Sequence, residues 1–242
     1  MADAAKAMCR SDVCKRISDI GILPAIRVSS PEDAIYAAET VAKSGIPVVE
    51  ITLTTPGALE VIAQLVKKHP KMIVGAGTVI DLEKAQHSAE AGAHFLTSPG
   101  LNLPVLEFAS KAELAALPGA LTPTEVIAAW QAGADMVKVF PVSLVGGDAY
   151  IKALKAPYPQ TRLIAAGGVN QQNAANFILA GAAALGVGAE LIPKEAIARR
   201  QSKRIQELAG RFLGFVRSAR DRMEQAKEAD AWKRADAAKP QG

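Results

Sequence analysis

The chain has 242 residues, 50% of them hydrophobic and 5% aromatic, and carries a formal net charge of +4. This length can bury the core of one barrel domain or of two small domains, and a composition dominated by aliphatic residues is typical of an α/β protein. We expect no transmembrane helix, because no apolar run approaches about 20 residues. We also expect a cytoplasmic protein, because the first ten residues do not resemble a secretion signal and two cysteines, Cys9 and Cys14, make no disulfide framework.

Short apolar segments rich in β-branched residues alternate with longer, Ala-rich amphipathic segments along most of the chain. The predicted strands cover residues 20–28, 47–54, 72–79, 94–98, 115–120, 136–140, 162–166 and 183–187. The predicted helices cover residues 31–43, 57–68, 82–91, 103–111, 123–131, 148–155 and 171–179, with a last helix from about Glu195. Eight such units predict an α/β fold made of a single (β/α)₈ TIM barrel.

A doubly wound open sheet is the main alternative to the barrel fold. It is disfavoured because residues 26–33, which follow the first strand, lack a G-x-G-x-x-G turn. Polar residues instead follow several different strands at their C-terminal ends, where TIM barrels place their active sites.

The chain divides into three predicted parts: an N-terminal helical extension over residues 1–19, the barrel over 20–222 and a charged C-terminal tail over 223–242. Apolar residues at helical spacing, from Ile205 to Val216, predict that the last helix docks on the barrel. From Lys194 onwards thirteen Lys and Arg residues stand against seven Asp and Glu, so the rest of the chain is slightly acidic. The chain before Lys194, which contains all eight predicted strands, therefore gives no electrostatic indication of nucleic-acid binding.

Lys138 lies in the predicted sixth strand and shares a face with Met136 and Phe140, because strand side chains alternate between faces. Val137 and Val139, on the other face, suit the layer against the helices, which places Lys138 inside the barrel. A lysine held among apolar groups can serve as an amine nucleophile. The alternative is a structural lysine at a strand end that reaches solvent or pairs with a carboxylate.

Glu50 lies on the polar face of the second strand and can partner Lys138 as a general acid and base. A buried structural ion pair would use the same two residues. Arg27 and Thr78 end the first and third strands, and they add a guanidinium that can clamp a carboxylate and a hydroxyl that can hydrogen-bond. Four polar groups at strand ends on one side of a barrel favour an active site.

Glycines follow the last two strands, as Gly167-Gly168 and as Gly188 before Ala189. The loops after these strands form the usual phosphate site of TIM barrels through their backbone N–H groups, although two tight turns without a ligand would look the same. The three histidines form no spaced cluster with cysteines or acidic residues, which argues against a metal site. A G-x-S-x-G motif is also absent, which argues against a serine hydrolase.

Taken together, these residues resemble the bifunctional 2-keto-3-deoxy-6-phosphogluconate (KDPG) / 4-hydroxy-2-oxoglutarate (KHG) aldolases, over a stretch from Ile20 to Pro193. The segments that carry the resemblance are Val49-Glu50-Ile51-Thr52, Gly75-Ala76-Gly77-Thr78, Thr97-Ser98-Pro99-Gly100, residues 118–125, Val137-Lys138-Val139-Phe140-Pro141, Gly167-Gly168-Val169-Asn170 and Gly186-Val187-Gly188. The resemblance implies a class I aldolase of the TIM-barrel type that uses no metal and no cofactor. It also implies a small-molecule 2-oxo acid substrate and a homotrimer, with no nucleic-acid or membrane partner.

The resemblance further implies a role for each matching residue. Lys138 forms the Schiff base, and Glu50 shuttles protons during dehydration and C–C cleavage. The pyruvate moiety is held by Arg27, Thr78, Pro99 and Phe140, with the first two on its carboxylate. The phosphate site is lined by Gly167, Gly168, Gly188 and Ala189.

The phosphate end departs from the family pattern at two positions, because Ala166 replaces a common threonine and Ala189 a common serine. The implied reaction cleaves KDPG to pyruvate and glyceraldehyde 3-phosphate, or KHG to pyruvate and glyoxylate. One alternative is an aldolase for 2-keto-3-deoxy-6-phosphogalactonate or for a non-phosphorylated 2-oxo acid. Another is a non-catalytic barrel that binds phosphorylated ligands or serves as a scaffold, which the presence of both Lys138 and Glu50 disfavours.

Overall fold

The structure, a computed structural model, describes residues 8–237 of the chain. Its helices are α1 Arg10–Ile20, α2 Pro31–Lys43, α3 Ala58–Lys68, α4 Leu82–Glu90, α5 Leu103–Lys111, α6 Pro123–Gln131, α7 Gly147–Lys155, α8 Ala174–Leu179, α9 Lys194–Ala198 and α10 Ser202–Ala237. Its strands are β1 Ile22–Ile26, β2 Val48–Thr52, β3 Ile73–Gly77, β4 Phe95–Thr97, β5 Ala115–Leu117, β6 Gly119–Ala120, β7 Val137–Val139, β8 Leu163–Ala166 and β9 Ala184–Val187. The first seven residues of the predicted N-terminal extension and the last five of the predicted tail lie outside the described residues.

The strands form a parallel sheet in the order β5-β4-β3-β2-β1-β9-β8-β7-β6. Its two edges, β5 and β6, are halves of one chain segment interrupted at Pro118; β5 pairs with β4, and β6 pairs with β7. The sheet therefore closes on itself with helices between its strands, which confirms the predicted (β/α)₈ barrel. The prediction of one continuous strand over residues 115–120 is wrong at Pro118, because proline has no N–H to donate to the ladder.

The side chains inside the barrel fall into layers of four, each drawn from alternate strands, as the strand registers require. The lower layers are apolar and tightly packed, and include Val48, Phe95, Met136 and Ala184. The layer above them, which we call the Glu50 layer, consists of Glu50, Thr97, Lys138 and Gly186. The next, which we call the small-residue layer, consists of Ala25, Gly77, Gly119 and Ala166.

Helix α1 covers the floor of the barrel, where the N-terminal ends of the strands lie. Its Val13 and Cys14 belong to the interior apolar cluster, and burial raises the pKa of the Cys14 thiol to about 12. Arg220 of α10 donates hydrogen bonds to the carbonyls of Ser18 and Asp19 near the end of α1. The first and last helices are thereby joined at the floor, opposite the mouth, where the strands have their C-terminal ends.

Side chains cap the starts of several helices that begin at the mouth. Ser30, Asp81 and Thr122 each accept the backbone N–H of the third residue after them, at the starts of α2, α4 and α6. The helix predicted from residue 171 begins only at Ala174, as α8. The carboxamide oxygen of Asn170 instead accepts two N–H groups of the intervening turn.

Helix α10 packs Ile205, Phe212 and Val216 against the barrel, as their spacing predicts, and then continues past the predicted tail boundary with residues 224–231 exposed. A separate short helix, α9, precedes it, where a single helix from about Glu195 was expected. Within residues 8–237, no helix combines the length and the apolar character needed to cross a membrane.

Candidate active site

Lys138 and Glu50 meet across the interior of the barrel, on β7 and β2. The Nζ of Lys138 donates to Oε2 of Glu50 at 3.3 Å and to Oε1 at 3.5 Å. Only 13% of the Lys138 side chain and 3% of the Glu50 side chain are exposed. An amine is therefore held beside a carboxylate that can accept and return protons, and both groups are largely shielded from bulk water.

Gly77 makes room for the Glu50 carboxyl group. A Cβ atom at residue 77 would lie 2.1 Å from Oε1 of Glu50, so the carboxyl group occupies the space that any other side chain on β3 would need. Gly75, one layer lower, similarly leaves room for the ring of Phe95, which a Cβ atom would approach to 2.2 Å. The interior space beside β3 is therefore occupied by the side chains of Phe95 and Glu50.

A cavity of about 490 Å³ opens above the ion pair, at the mouth of the barrel. Two members of the small-residue layer, Ala25 and Ala166, line it, and their short side chains leave space above Lys138. The volume is in the range of small-molecule sites. The cavity is lined by Ala25, Arg27, Val28, Glu50, Thr52, Lys138, Phe140, Ala166, Gly167, Gly168, Val169, Gly186, Gly188, Ala189, Glu190, Ile192 and Lys194.

The charged groups of the cavity give it an excess of positive charge. Arg27, Lys138 and Lys194 are its cations, and Glu50 and Glu190 are its carboxylates. Arg27 and Lys194 are exposed at the rim, whereas Lys138 lies at the base. A cavity of this charge suits an anionic ligand whose reacting end lies deep and whose other charges lie near the rim.

The glycines predicted to bind phosphate lie together on one side of the cavity. Gly167 and Gly168 have φ angles of 85° and 86°, which other residues rarely adopt. A Cβ atom at residue 168 would lie 2.3 Å from Oγ of Ser143, so the backbone here passes directly against the loop after β7. Gly188 and Ala189, after β9, line the same side.

Three predicted substrate contacts have different positions in the structure. Phe140 lines the cavity, with its ring centroid 6.0 Å from Nζ of Lys138. Thr78 lies beyond the end of β3 with a φ of 62°, and Pro99 is exposed beyond the end of β4. Neither Thr78 nor Pro99 lines the cavity. The prediction that strands extend to Arg27 and Thr78 is wrong, since β1 ends at Ile26 and β3 at Gly77.

The prediction from sequence missed several residues of the cavity. Thr52 shares the interior face of β2 with Glu50, so strand alternation could have found it; its hydroxyl donates to the carbonyl oxygen of Ile26 at 3.0 Å. Glu190 and Lys194 belong to the irregular segment after β9, where no periodic pattern predicts which side chains face the site.

Metal-ligating side chains do not cluster in the part of the chain that the structure describes. Within residues 8–237, no group of three or more His, Cys, Asp or Glu side chains is placed to hold a metal ion. The polar groups at the base of the cavity are an amine and one carboxylate, a donor set that suits covalent and acid–base chemistry.

The sequence matches the model of a family described as "KDPG and KHG aldolase" over residues 13–208. A 2-dehydro-3-deoxy-phosphogluconate aldolase of Pseudomonas aeruginosa is 32% identical over 192 residues, which are 79% of this chain and 87% of that protein. The KHG/KDPG aldolase of Escherichia coli K12 is 32% identical over 188 residues, covering 78% of this chain and 88% of that protein.

Solved structures point to the same family. The structure is similar to that of a KDPG aldolase from Legionella pneumophila in which pyruvate was captured at low pH as a covalent carbinolamine intermediate. The TM-score is 0.76 and the identity 31%, over 83% of this chain and 96% of that one. At this level of identity and coverage the likeness extends to the whole barrel.

Proposed function

Because this chain belongs to the KDPG and KHG aldolase family, we propose that it cleaves a 2-oxo acid through an imine on Lys138 and releases pyruvate. The observation that carries the proposal is the Lys138–Glu50 pair at the base of the cavity, with Nζ 3.3 Å from the carboxylate. If packed side chains covered this pair, it would be explained as a structural ion pair. Here the residues above it leave an open cavity, which gives a substrate carbonyl access to the amine.

The reaction begins when Lys138 passes a proton to Glu50 and its neutral Nζ adds to the 2-oxo carbon, forming a carbinolamine. Loss of water, with Glu50 supplying a proton to the departing hydroxyl, leaves a protonated imine. Glu50 then removes the proton from the C4 hydroxyl, the C3–C4 bond breaks, and its electron pair enters an enamine while the aldehyde departs. Protonation of the enamine at C3 and hydrolysis of the imine release pyruvate and free the amine.

The remaining roles follow from position around the cavity. We assign the pyruvate carboxylate to Arg27 and Thr78, and packing against the pyruvate moiety to Pro99 and Phe140; of these four residues, Arg27 and Phe140 line the cavity. The distal end of the substrate lies against the backbone of Gly167, Gly168, Gly188 and Ala189. Backbone N–H groups can hold a phosphate there even though Ala166 and Ala189 contribute no hydroxyl.

The substrates we propose are KDPG, cleaved to pyruvate and glyceraldehyde 3-phosphate, and KHG, cleaved to pyruvate and glyoxylate. The excess positive charge of the cavity supports a substrate with two anionic ends. The lack of hydroxyls at residues 166 and 189 keeps the galactonate epimer and non-phosphorylated 2-oxo acids as the second candidates. The homotrimer and the cytoplasmic location stay predictions, as does the independence of metal.

Borohydride trapping tests this proposal. Pyruvate and sodium borohydride are expected to leave a reduced covalent adduct on Lys138, located by mass spectrometry of peptides, because borohydride reduces an imine to a stable amine. The same adduct and the same cleavage activity are expected in EDTA. A protein that forms no adduct, or forms it on another lysine, would not use this mechanism, and activity lost in EDTA and restored by a divalent ion would indicate a metal-dependent aldolase.

Lys194 is the side chain we expect to distinguish phosphorylated from non-phosphorylated substrates. Lys194→Ala removes a rim cation without touching the Lys138–Glu50 pair, so we expect KM for KDPG to rise by about 5- to 20-fold, the effect of one charged hydrogen bond. KM for KHG is expected to change by less than about twofold. Steady-state kinetics with both substrates measure this, with Lys71→Ala, an exposed lysine near the floor, as the control. Equal changes in KM for the two substrates would show that Lys194 does not bind the phosphate group of KDPG.

A further inference from the structure

Thr97 is a buried threonine whose hydroxyl has no partner. The residue is 1% exposed, and its Oγ1 makes no hydrogen bond to any described residue. It is the last residue of β4. On this strand Phe95 lies inside the barrel, and Leu96 packs outside against the helices. Strand alternation therefore directs the Thr97 side chain to the interior, in the same layer as Glu50 and Lys138.

The Glu50 carboxyl group leans toward Thr97. The strand order places β3 between β2 and β4, so Gly77 separates Glu50 from Thr97. Oε1 of Glu50 lies 2.1 Å from where a Cβ atom of Gly77 would be, which puts the carboxyl group over β3 on its way to β4. Neighbouring strands are about 4.8 Å apart, so Thr97 is the next interior side chain that Oε1 meets in that direction.

Few other side chains in this region could donate a hydrogen bond. The Glu50 layer contains Thr97 and Lys138 as its side-chain donors, and the small-residue layer contains only alanine and glycine. Thr52, farther up β2, already donates to the carbonyl oxygen of Ile26. Among the described interior residues at this height, the Thr97 hydroxyl is thus the donor that remains uncommitted.

The proposed reaction creates a need for that donor. In the resting pair, the ammonium group of Lys138 has three N–H bonds and donates to both oxygens of Glu50. A protonated imine on the same nitrogen retains one N–H bond, so it can donate to at most one carboxylate oxygen. Because the Glu50 side chain is only 3% exposed, the other oxygen would then lack a donor from Lys138, and the C4 hydroxyl of the substrate can supply one only until its proton is transferred.

We propose that Thr97 is a positioning residue that donates its hydroxyl to Oε1 of Glu50 once Lys138 has become an imine. The inference rests on the proposed aldolase function, since it requires the imine. The hydrogen bond replaces the N–H that Lys138 gives up and holds the carboxylate in place while it accepts the C4 hydroxyl proton. No covalent bond to Thr97 forms or breaks.

The isosteric variant Thr97→Val tests this proposal. Valine keeps the shape of threonine, and removing an unpaired buried hydroxyl is expected to leave the thermal unfolding midpoint unchanged or higher. We expect kcat for cleavage to fall by roughly 10- to 100-fold with KM changed by less than about twofold, because the step in which Glu50 accepts the C4 hydroxyl proton loses a hydrogen bond to a charged group. The amount of imine trapped by borohydride at saturating pyruvate is expected to match that of the unaltered protein.

Two further variants complete the experiment. Thr97→Ser retains the hydroxyl and is expected to restore kcat to within about threefold of the original. Thr161→Val is the matched control, because Thr161 is also fully buried with an unpartnered hydroxyl but lies before β8, near the floor; its kcat should not change. An unchanged kcat in Thr97→Val, or an equal loss in Thr97→Ser, overturns the proposal. If the unaltered protein traps no imine, the proposed aldolase function is wrong. That outcome is distinguishable from failure of the Thr97 proposal alone, in which the unaltered protein does trap the imine.

Discussion

Replacing Lys138 by methionine is expected to abolish cleavage, with kcat reduced on the order of 10⁴-fold or more and no borohydride adduct with pyruvate. Methionine has a similar length but no amine, so no nucleophile is present to add to the substrate carbonyl. Lys194→Met is the matched control, since Lys194 is the other lysine of the cavity; the adduct should persist in it. Retained turnover in Lys138→Met would show that another group carries the chemistry.

The Lys138→Met variant also leaves the Glu50 carboxylate buried without its partner. A buried charge that loses its partner destabilises a protein by about 3–5 kcal/mol, so the thermal midpoint of this variant should fall. Combining it with Glu50→Gln removes the uncompensated charge and is expected to recover much of that stability without recovering activity. Inactivity of the folded double variant then reports on the amine rather than on unfolding.

Glu50→Gln is the second large effect that we expect. The amide keeps the size of the carboxyl group and still fits over Gly77, but it can neither accept the C4 hydroxyl proton nor return one to the departing water. Loss of a general acid and base typically lowers the rate by about 10²- to 10⁴-fold, and we expect kcat to fall within that range. Imine trapping should persist but become slower, because the amine remains.

Glu190→Gln provides the comparison for Glu50→Gln. Glu190 is the other carboxylate of the cavity, but it is exposed at the rim rather than held against Lys138. Its kcat is expected to stay within about twofold of the original. An equal loss of activity in the two variants would show that contact with Lys138 does not identify the carboxylate that transfers protons. The assignment of Glu50 would then be wrong.

The barrel and the interior position of Lys138 were predictable from the sequence because both depend on local periodicity. Alternation in residues 136–140 separates Lys138 from Val137 and Val139, and the structure packs those two valines against the helices. Glu50 follows from the same rule on β2. Their contact across the barrel required the closed fold, since 88 residues separate them in the chain.

The rest of the site depends on features that periodicity does not report. Thr78 reads as a strand residue, yet its φ of 62° takes it out of β3. Lys194 enters the cavity through an irregular segment after β9. Thr97 reads as an ordinary strand threonine, and only the layer arrangement shows that it shares a level with Glu50. These positions are set by tertiary contacts, which a single sequence does not encode in any short pattern.

The contact between Arg220 and the end of α1 determines where other proteins could be attached to this one. The first and last described helices meet at the floor, and about 25 Å of α10 continues beyond Arg220, away from the mouth. A fusion partner at either end would therefore leave substrate entry unobstructed.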